Sequence, residues 1–185
     1  DMGRGFFMLE GAAATNVTVA VGGDGIIMVD SMFRTTGEKL KANIAAKSKL
    51  PIKFVIDTHH HADAIGGTEI FAKPGTVVIG HEVALKRLSN LGSGPGGVLV
   101  QPIPKAARPT RIVKNALTVS VKGVTAQITH TPPSHTDNDL YVYFPEANII
   151  HAGTLFNASG YPGIDNGGGN GTIDGIITAA DSMLS

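Results

Sequence analysis

The sequence predicts an α/β protein built as a four-layer αββα sandwich, two sheets packed face to face with helices outside. Three features lead there. Strand-like segments open the chain in a run whose last two are joined by a glycine hairpin. Helical segments then intervene at intervals between short apolar strands. A second run of strands follows before a last helix. Strands in runs with helices between them fit two covered sheets better than one parallel sheet.

The early strands are read at Phe6–Glu10, Thr15–Val21 and Gly25–Asp30. In the second, Val17, Val19 and Val21 alternate with smaller residues, a period of two. Gly22-Gly23-Asp24-Gly25 is a hairpin turn signal. A first helix is expected from about Thr35, where Thr35 and Glu38 stand at capping-box spacing. Leu40 and Ile44 share one face of it, and Pro51 stops it. Lys53–Asp57 is a short apolar strand, Gly66–Phe71 a short helix, Thr76–Gly80 a strand and His81–Leu91 a helix. Residues 92–110 read as a long Gly- and Pro-containing loop, a flap over a site. Strands are expected at Leu117–Val121, Val124–His130, Leu140–Phe144 and Ile149–Ala152. The Gly-rich stretch Gly160–Gly171 reads as a mobile loop, since it lacks the phosphate-loop pattern. The final helix runs from about Thr172 to Leu184.

Composition narrows the function classes. The 185 residues suit one domain with one core. Lys+Arg and Asp+Glu are both 15, so no net field draws nucleic acid or an anionic membrane. No apolar run reaches the roughly 20 residues of a spanning helix. The first ten residues do not combine a basic start with a long apolar stretch. There are no cysteines, which removes disulfides, thiolate ligands and a cysteine nucleophile.

The chemistry sits in Thr58-His59-His60-His61-Ala62-Asp63-Ala64-Ile65-Gly66-Gly67, directly after a strand. Alternate side chains of an extended segment point the same way, so His59 and His61 can reach one ion. Zinc favours imidazole nitrogen and takes about four ligands. His135, in Pro132-Pro133-Ser134-His135-Thr136-Asp137, is the natural third, giving an open site with room for water. His60 is read as exposed or supporting, not as a ligand. His81, His130 and His151 are read as structural. Asp137 and Asp139 are read as serving the turn that carries His135.

This segment resembles the signature of the metallo-β-lactamase superfamily, T-H-x-H-x-D-H-x-G-G. Gly25–Asp30, Thr131–Phe144 and Glu146–Phe156 resemble further stretches of that family, so the likeness runs along most of the chain. The resemblance implies a metal-dependent hydrolase of αββα fold with first-metal ligands His59, His61 and His135. Of the second-metal ligands only Asp63 matches. Ala64 stands where the family has histidine, and Thr154 where it has the bridging aspartate. No later residue supplies the family's last histidine, and the C-terminal strand and helix of the family are expected to be absent. One zinc ion per chain is therefore the expectation.

The expected reaction is hydrolysis of an ester, thioester, lactam or lactone in a small-molecule substrate. A zinc held by three histidines lowers the pKa of water toward roughly 7. Asp63 is the expected water-orienting base or weak ligand, and Thr154 a hydrogen-bonding aid to the oxyanion. An apolar edge uncovered by the missing C-terminal elements favours a homo-oligomer. The alternative is a degenerate or engineered chain of this fold, with lost ligands and little hydrolysis, acting as a binding module or scaffold.

Overall fold

The computed structural model describes residues 1–11, 15–90, 92–93 and 99–185. Apolar runs buried on both faces set its plan. Strand β3 (Ile26–Val29) is the sequence IIMV and all four residues are buried. Ile27 and Val29 enter one core; Ile26 and Met28 enter another on the opposite face. That is how a strand inside a doubly covered sheet reads.

The first sheet has the order β1-β2-β3-β4-β5-β8, with β1 (Phe6–Leu9), β2 (Val17–Val21), β4 (Ile52–Ile56), β5 (Val77–His81) and β8 (Arg111–Val113). Strands β1 to β3 are antiparallel, and β3, β4, β5 and β8 run parallel. The second sheet is antiparallel, in the order β12-β11-β10-β9, with β9 (Ala116–Val121), β10 (Val124–His130), β11 (Leu140–Phe144) and β12 (Ile149–His151). A separate ribbon pairs β6 (Gly92–Ser93) with β7 (Leu99–Val100).

The central core lies between the sheets, where Phe6, Ile27, Ile56 and Ile79 meet Ile128, Leu140, Val142 and Phe144. The Phe6 and Phe144 rings meet edge to face at 5.1 Å. On the outer side of the first sheet, Leu40 and Ile44 of α1 (Gly37–Lys47) and Phe71 of α3 (Thr68–Phe71) cover Val17, Val19, Met28 and Val55. On the outer side of the second, α5 (Ile173–Leu184) packs Ile176, Ala179 and Met183 near Tyr141 and Leu155. The four αββα layers are therefore present as the sequence predicts. Helices α2 (Ala62–Ile65) and α4 (Glu82–Ser89) form a smaller cluster through Ala64, Ile65, Ala84 and Leu88. No helix among the described residues is long and apolar enough to cross a membrane.

Most predicted elements are found, and the differences have local causes. The capping box at Thr35 is not formed. Arg34–Thr36 makes a 3-10 turn, α1 starts at Gly37, and the Thr36 hydroxyl donates back to Phe33 instead of capping. The helix ends at Lys47, ahead of Pro51. The short helix expected at 66–71 is α3 alone, Thr68–Phe71; an unpredicted turn, α2, precedes it, and Gly66-Gly67 separates the two. The backbone there passes so close to Ser31 and Met32 that a Cβ has no room. Part of the expected flap at 92–110 falls outside the described residues; 105–107 form a 3-10 turn that leads toward β8.

Candidate metal centre

Parallel strand β4 ends at Ile56 and delivers Asp57-Thr58-His59 to the rim of the first sheet. The connection from β10 to β11 delivers His135 to the same place from the second sheet. The three predicted ligands meet: His59, His61 and His135 each offer a ligand atom within 4.8 Å of the others. Their rings are 4.8 to 5.0 Å apart and mutually edge-on.

The hydrogen bonds around the rings decide which nitrogens face inward. Thr58 Oγ1 donates to the Asp30 carboxylate, at 2.9 to 3.0 Å from its two oxygens. Its lone pair then accepts Nδ1–H of His59 at 3.2 Å. That leaves His59 Nε2 bare, and it is buried with no partner among the described residues. His61 donates Nε2–H to Asp165 Oδ2 at 3.0 Å. His135 donates Nδ1–H to the carbonyl of Gly163 at 2.8 Å. The two remaining lone pairs, His61 Nδ1 and His135 Nε2, face each other at 3.0 Å. Two lone pairs at that distance repel unless a cation lies between them. Two nitrogens on one tetrahedral zinc stand roughly 3.3 Å apart, given bonds of about 2.0–2.1 Å. The donor set therefore fits a divalent ion: three imidazoles, one bare buried nitrogen, and an outside partner fixing each tautomer.

Electrostatics agree. Burial drives the His59 pKa far below its ordinary value, helped by its histidine neighbours. Burial, with His61 and Arg87 nearby, lowers His60 to about 4. Burial and His135 lower His61, against the pull of Asp165 and Asp63. These rings keep their lone pairs at neutral pH. Burial works to raise Asp165, but backbone N–H groups at Gly169 and Gly168 and the bond from His61 outweigh it. The carboxylate stays ionised beside the site.

Asp165 and Gly163 were missed by sequence reasoning, which treated Gly160–Gly171 as a mobile loop. The stretch is tied down instead. Asp165 N donates to His135 O at 2.9 Å, and Gly171 N donates to Asp165 O at 2.7 Å. A Cβ at Gly171 would lie 2.3 Å from His135 O, and one at Gly175 would lie 1.7 Å from Pro133 O. Glycine at both positions lets this segment and α5 close on the turn that carries His135. Asp30 was also assigned no role. It holds Thr58 on one side and His151 Nε2, at 3.1 Å, on the other, with its own backbone at a positive φ of 62°.

The other predicted residues divide. His60 is not among the converging atoms, as expected. Asp137 takes Arg87 and Asn170, and Asp139 takes the Thr136 N–H at 2.8 Å, so both build the His135 turn. His151 is structural, bonded to Thr18 and Asp30. Asp63 stands at the wall of the adjoining cavity, outside the three-nitrogen cluster. Thr154 Oγ1 is buried without a partner among the described residues. Its neighbour Gly153 lies against Thr58, next to His59. Ala64 is fully buried in the apolar α2–α4 cluster.

Comparison with known proteins places the chain in a family and a fold. The family model of the metallo-beta-lactamase superfamily matches residues 11–181. A metallo-β-lactamase of Cronobacter sakazakii with a HARLDQ motif superposes with a TM-score of 0.76 at 20% identity, over 96% of this chain and 70% of that one. The subclass B3 metallo-β-lactamase of Bradyrhizobium japonicum gives 0.64 at 22% identity, over 78% and 55%. A class B3 di-zinc enzyme from an Alaskan soil metagenome gives 0.65 at 18% identity, over 78% and 55%. In sequence, the alpha subunit of a 2,4-dinitroanisole O-demethylase from Nocardioides sp. (strain JS1661) is 28% identical over 149 residues, 78% of this chain and 42% of the relative. An alkyl/aryl-sulfatase of Saccharomyces cerevisiae is 30% identical over 76 residues, 40% of this chain and 12% of the relative. The chain thus spans less than half the length of either sequence relative. With the family matched over nearly its whole length, this chain belongs to the metallo-β-lactamase superfamily.

Proposed function

We propose that this chain is a zinc-dependent hydrolase of small organic molecules, holding one ion on His59, His61 and His135. The observation that carries the reading is the 3.0 Å approach of two lone-pair nitrogens, His61 Nδ1 and His135 Nε2, beside the bare His59 Nε2. When bound, zinc supplies Lewis acidity: it lowers the pKa of water and polarises a carbonyl.

The chain's own residues supply the rest. Asp63, beside the cavity, orients the attacking water and takes its proton. The Thr154 hydroxyl, buried and unpartnered among the described residues, is free to donate to a developing oxyanion. The substrate is an ester, thioester, lactam or lactone. Water oxygen bonds to the acyl carbon, the bond to the leaving oxygen, sulfur or nitrogen breaks, and the leaving atom takes a proton. The names of the two sequence relatives, an alkyl/aryl-sulfatase and a dinitroanisole O-demethylase, favour a substrate with an apolar body. Ala64, buried among apolar side chains, favours a single ion over two.

The deciding experiment measures metal content and turnover of a generic aryl ester before and after chelation. One equivalent of zinc with chelator-sensitive, zinc-restored activity is expected. Zinc binding without turnover would leave a binding module on a hydrolase scaffold and overturn the proposal.

A further inference from the structure

Beside His61 opens a cavity of about 1010 Å³ that the three-histidine cluster does not account for. Its walls include Ile65, Val83, Leu88, Ile103 and Pro104. Of its three cations, Arg34 is tied to Glu69 and Arg87 to Asp137, and Lys86 makes no ion pair among the described residues. The carboxylates of Asp63, Glu69 and Asp137 balance those charges on the same wall, so a polyanion would meet as many like charges as opposite ones. An apolar body would not, and the volume reaches the upper range for small-molecule pockets.

His60 also lines this cavity, with its ring 4.5 Å from that of His61. A chain of hydrogen bonds fixes its tautomer. Asp137 is held by Arg87 and by Asn170 Nδ2. An ionised carboxylate only accepts, so the Asn138 atom 2.9 Å from Asp137 Oδ1 must be the amide nitrogen. The reverse orientation would set two acceptor oxygens against each other. The same Nδ2 then gives its second hydrogen to His60 Nδ1, at 3.0 Å. A ring nitrogen that accepts carries no hydrogen, so the ring proton sits on Nε2. That nitrogen makes no hydrogen bond among the described residues and is not one of the buried orphans, so it is open to solvent, on a side chain that lines the cavity.

We propose that His60 is a substrate-binding residue, whose fixed Nε2–H donates to an acceptor oxygen near the scissile bond of a neutral ester or lactone with an apolar body in this cavity. The proposal deepens, and rests on, the reading of the neighbouring site as a hydrolase. It gives the middle histidine of His59-His60-His61 a role distinct from its neighbours: they present lone pairs to the ion, and it presents a hydrogen to the substrate.

The test uses the zinc-loaded protein and a non-hydrolysable arylalkyl ketone of the shape of a phenylalkanoate ester. Long-range ¹⁵N–¹H spectra of the imidazoles read the tautomer directly. His60 should be the Nε2–H form, and its Nε2 resonance should move on ketone addition while those of His81 and His130 stay. By calorimetry, His60→Leu should weaken ketone binding about 10-fold, the size of one neutral hydrogen bond. His60→Gln, which keeps a donor, should stay within about threefold. Asn138→Ala leaves the His60 ring in place and should give a mixed tautomer. Zinc content should be unchanged by either His60 substitution. An Nδ1–H tautomer, or ketone affinity equal in wild type and His60→Leu at equal zinc content, would overturn the proposal. Absence of ester turnover would count against the hydrolase reading alone, since tautomer and ketone binding are read without it.

Discussion

Asp165 accepts Nε2–H of His61 at 3.0 Å across 104 residues of sequence. The bond joins the loop after β4 to the Gly-rich segment before α5. It turns His61 so that Nδ1 faces the other two histidines, and it makes the imidazole a stronger donor to a metal.

Asp165→Ala should therefore weaken zinc affinity by about 10–100-fold, the usual effect of losing such a partner. Asp165→Asn should lose less, because its amide oxygen can still accept from His61. Competition with a chromogenic chelator measures both. Unchanged affinity in Asp165→Ala would mean that His61 does not depend on this contact.

The ligands themselves give a sharper contrast. His135→Ala leaves two imidazoles, and an ion held by two ligands stays largely hydrated, so zinc retained after dialysis should fall by more than about tenfold. His60→Ala should retain a full equivalent, because His60 stands outside the cluster. Elemental analysis of the dialysed variants decides. Loss of zinc from both, or from neither, would contradict the assignment.

How far the sequence foretold this site follows from distance along the chain. His59 and His61 are two apart at a strand end, where backbone geometry alone turns both side chains one way. His135 was legible because its turn follows a strand and carries a known family pattern. Asp165 was not, because nothing local marks it: it lies among glycines, and its function exists only once α5 closes on the His135 turn. In the folded chain its side chain takes the N–H groups of Gly167 and Gly168, an Asx turn that only the structure shows. Strand β8 was missed because three residues carry no periodicity; it is a strand because it pairs with β5. The capping-box spacing at Thr35 was a local signal overruled by the 3-10 turn leading out of β3.

Ala64 stands where the family has histidine, and its surroundings bear on whether a second metal site can be rebuilt. The family's histidine at this position suggests that restoring it, together with aspartate at Thr154, would rebuild a second metal site. In the structure Ala64 is fully buried against Ile65, Ala84 and Leu88. Ala64→His should instead overpack this cluster, at a cost of about 1–3 kcal/mol. Urea denaturation of the zinc-free protein measures it. A stability equal to the parent, with a second zinc bound, would show that the cluster opens toward the metal centre.

The last prediction concerns the stacked pair His81 and His130, whose rings are 3.8 Å apart and within 5° of parallel. Burial lowers the pKa of His81, with His130 adding to it, and burial lowers that of His130. Glu82 and Asp137 face the pair and pull the other way without winning. The Val83 N–H, 3.4 Å from His81 Nδ1, needs that nitrogen unprotonated. Depressed histidines make the unfolded chain the better proton binder as pH falls below the ordinary 6.5. The stabilising contribution is thus whole above about 6.5 and is lost as pH falls through the lower folded values. Wild type should lose thermal stability between about pH 7 and 5, and His81→Gln with His130→Gln should lose less over the same window. Both proteins are compared at each pH without zinc, so titration of the metal ligands is common to the two curves and cancels in their difference. Parallel curves would mean that the stacked pair does not couple folding to protons.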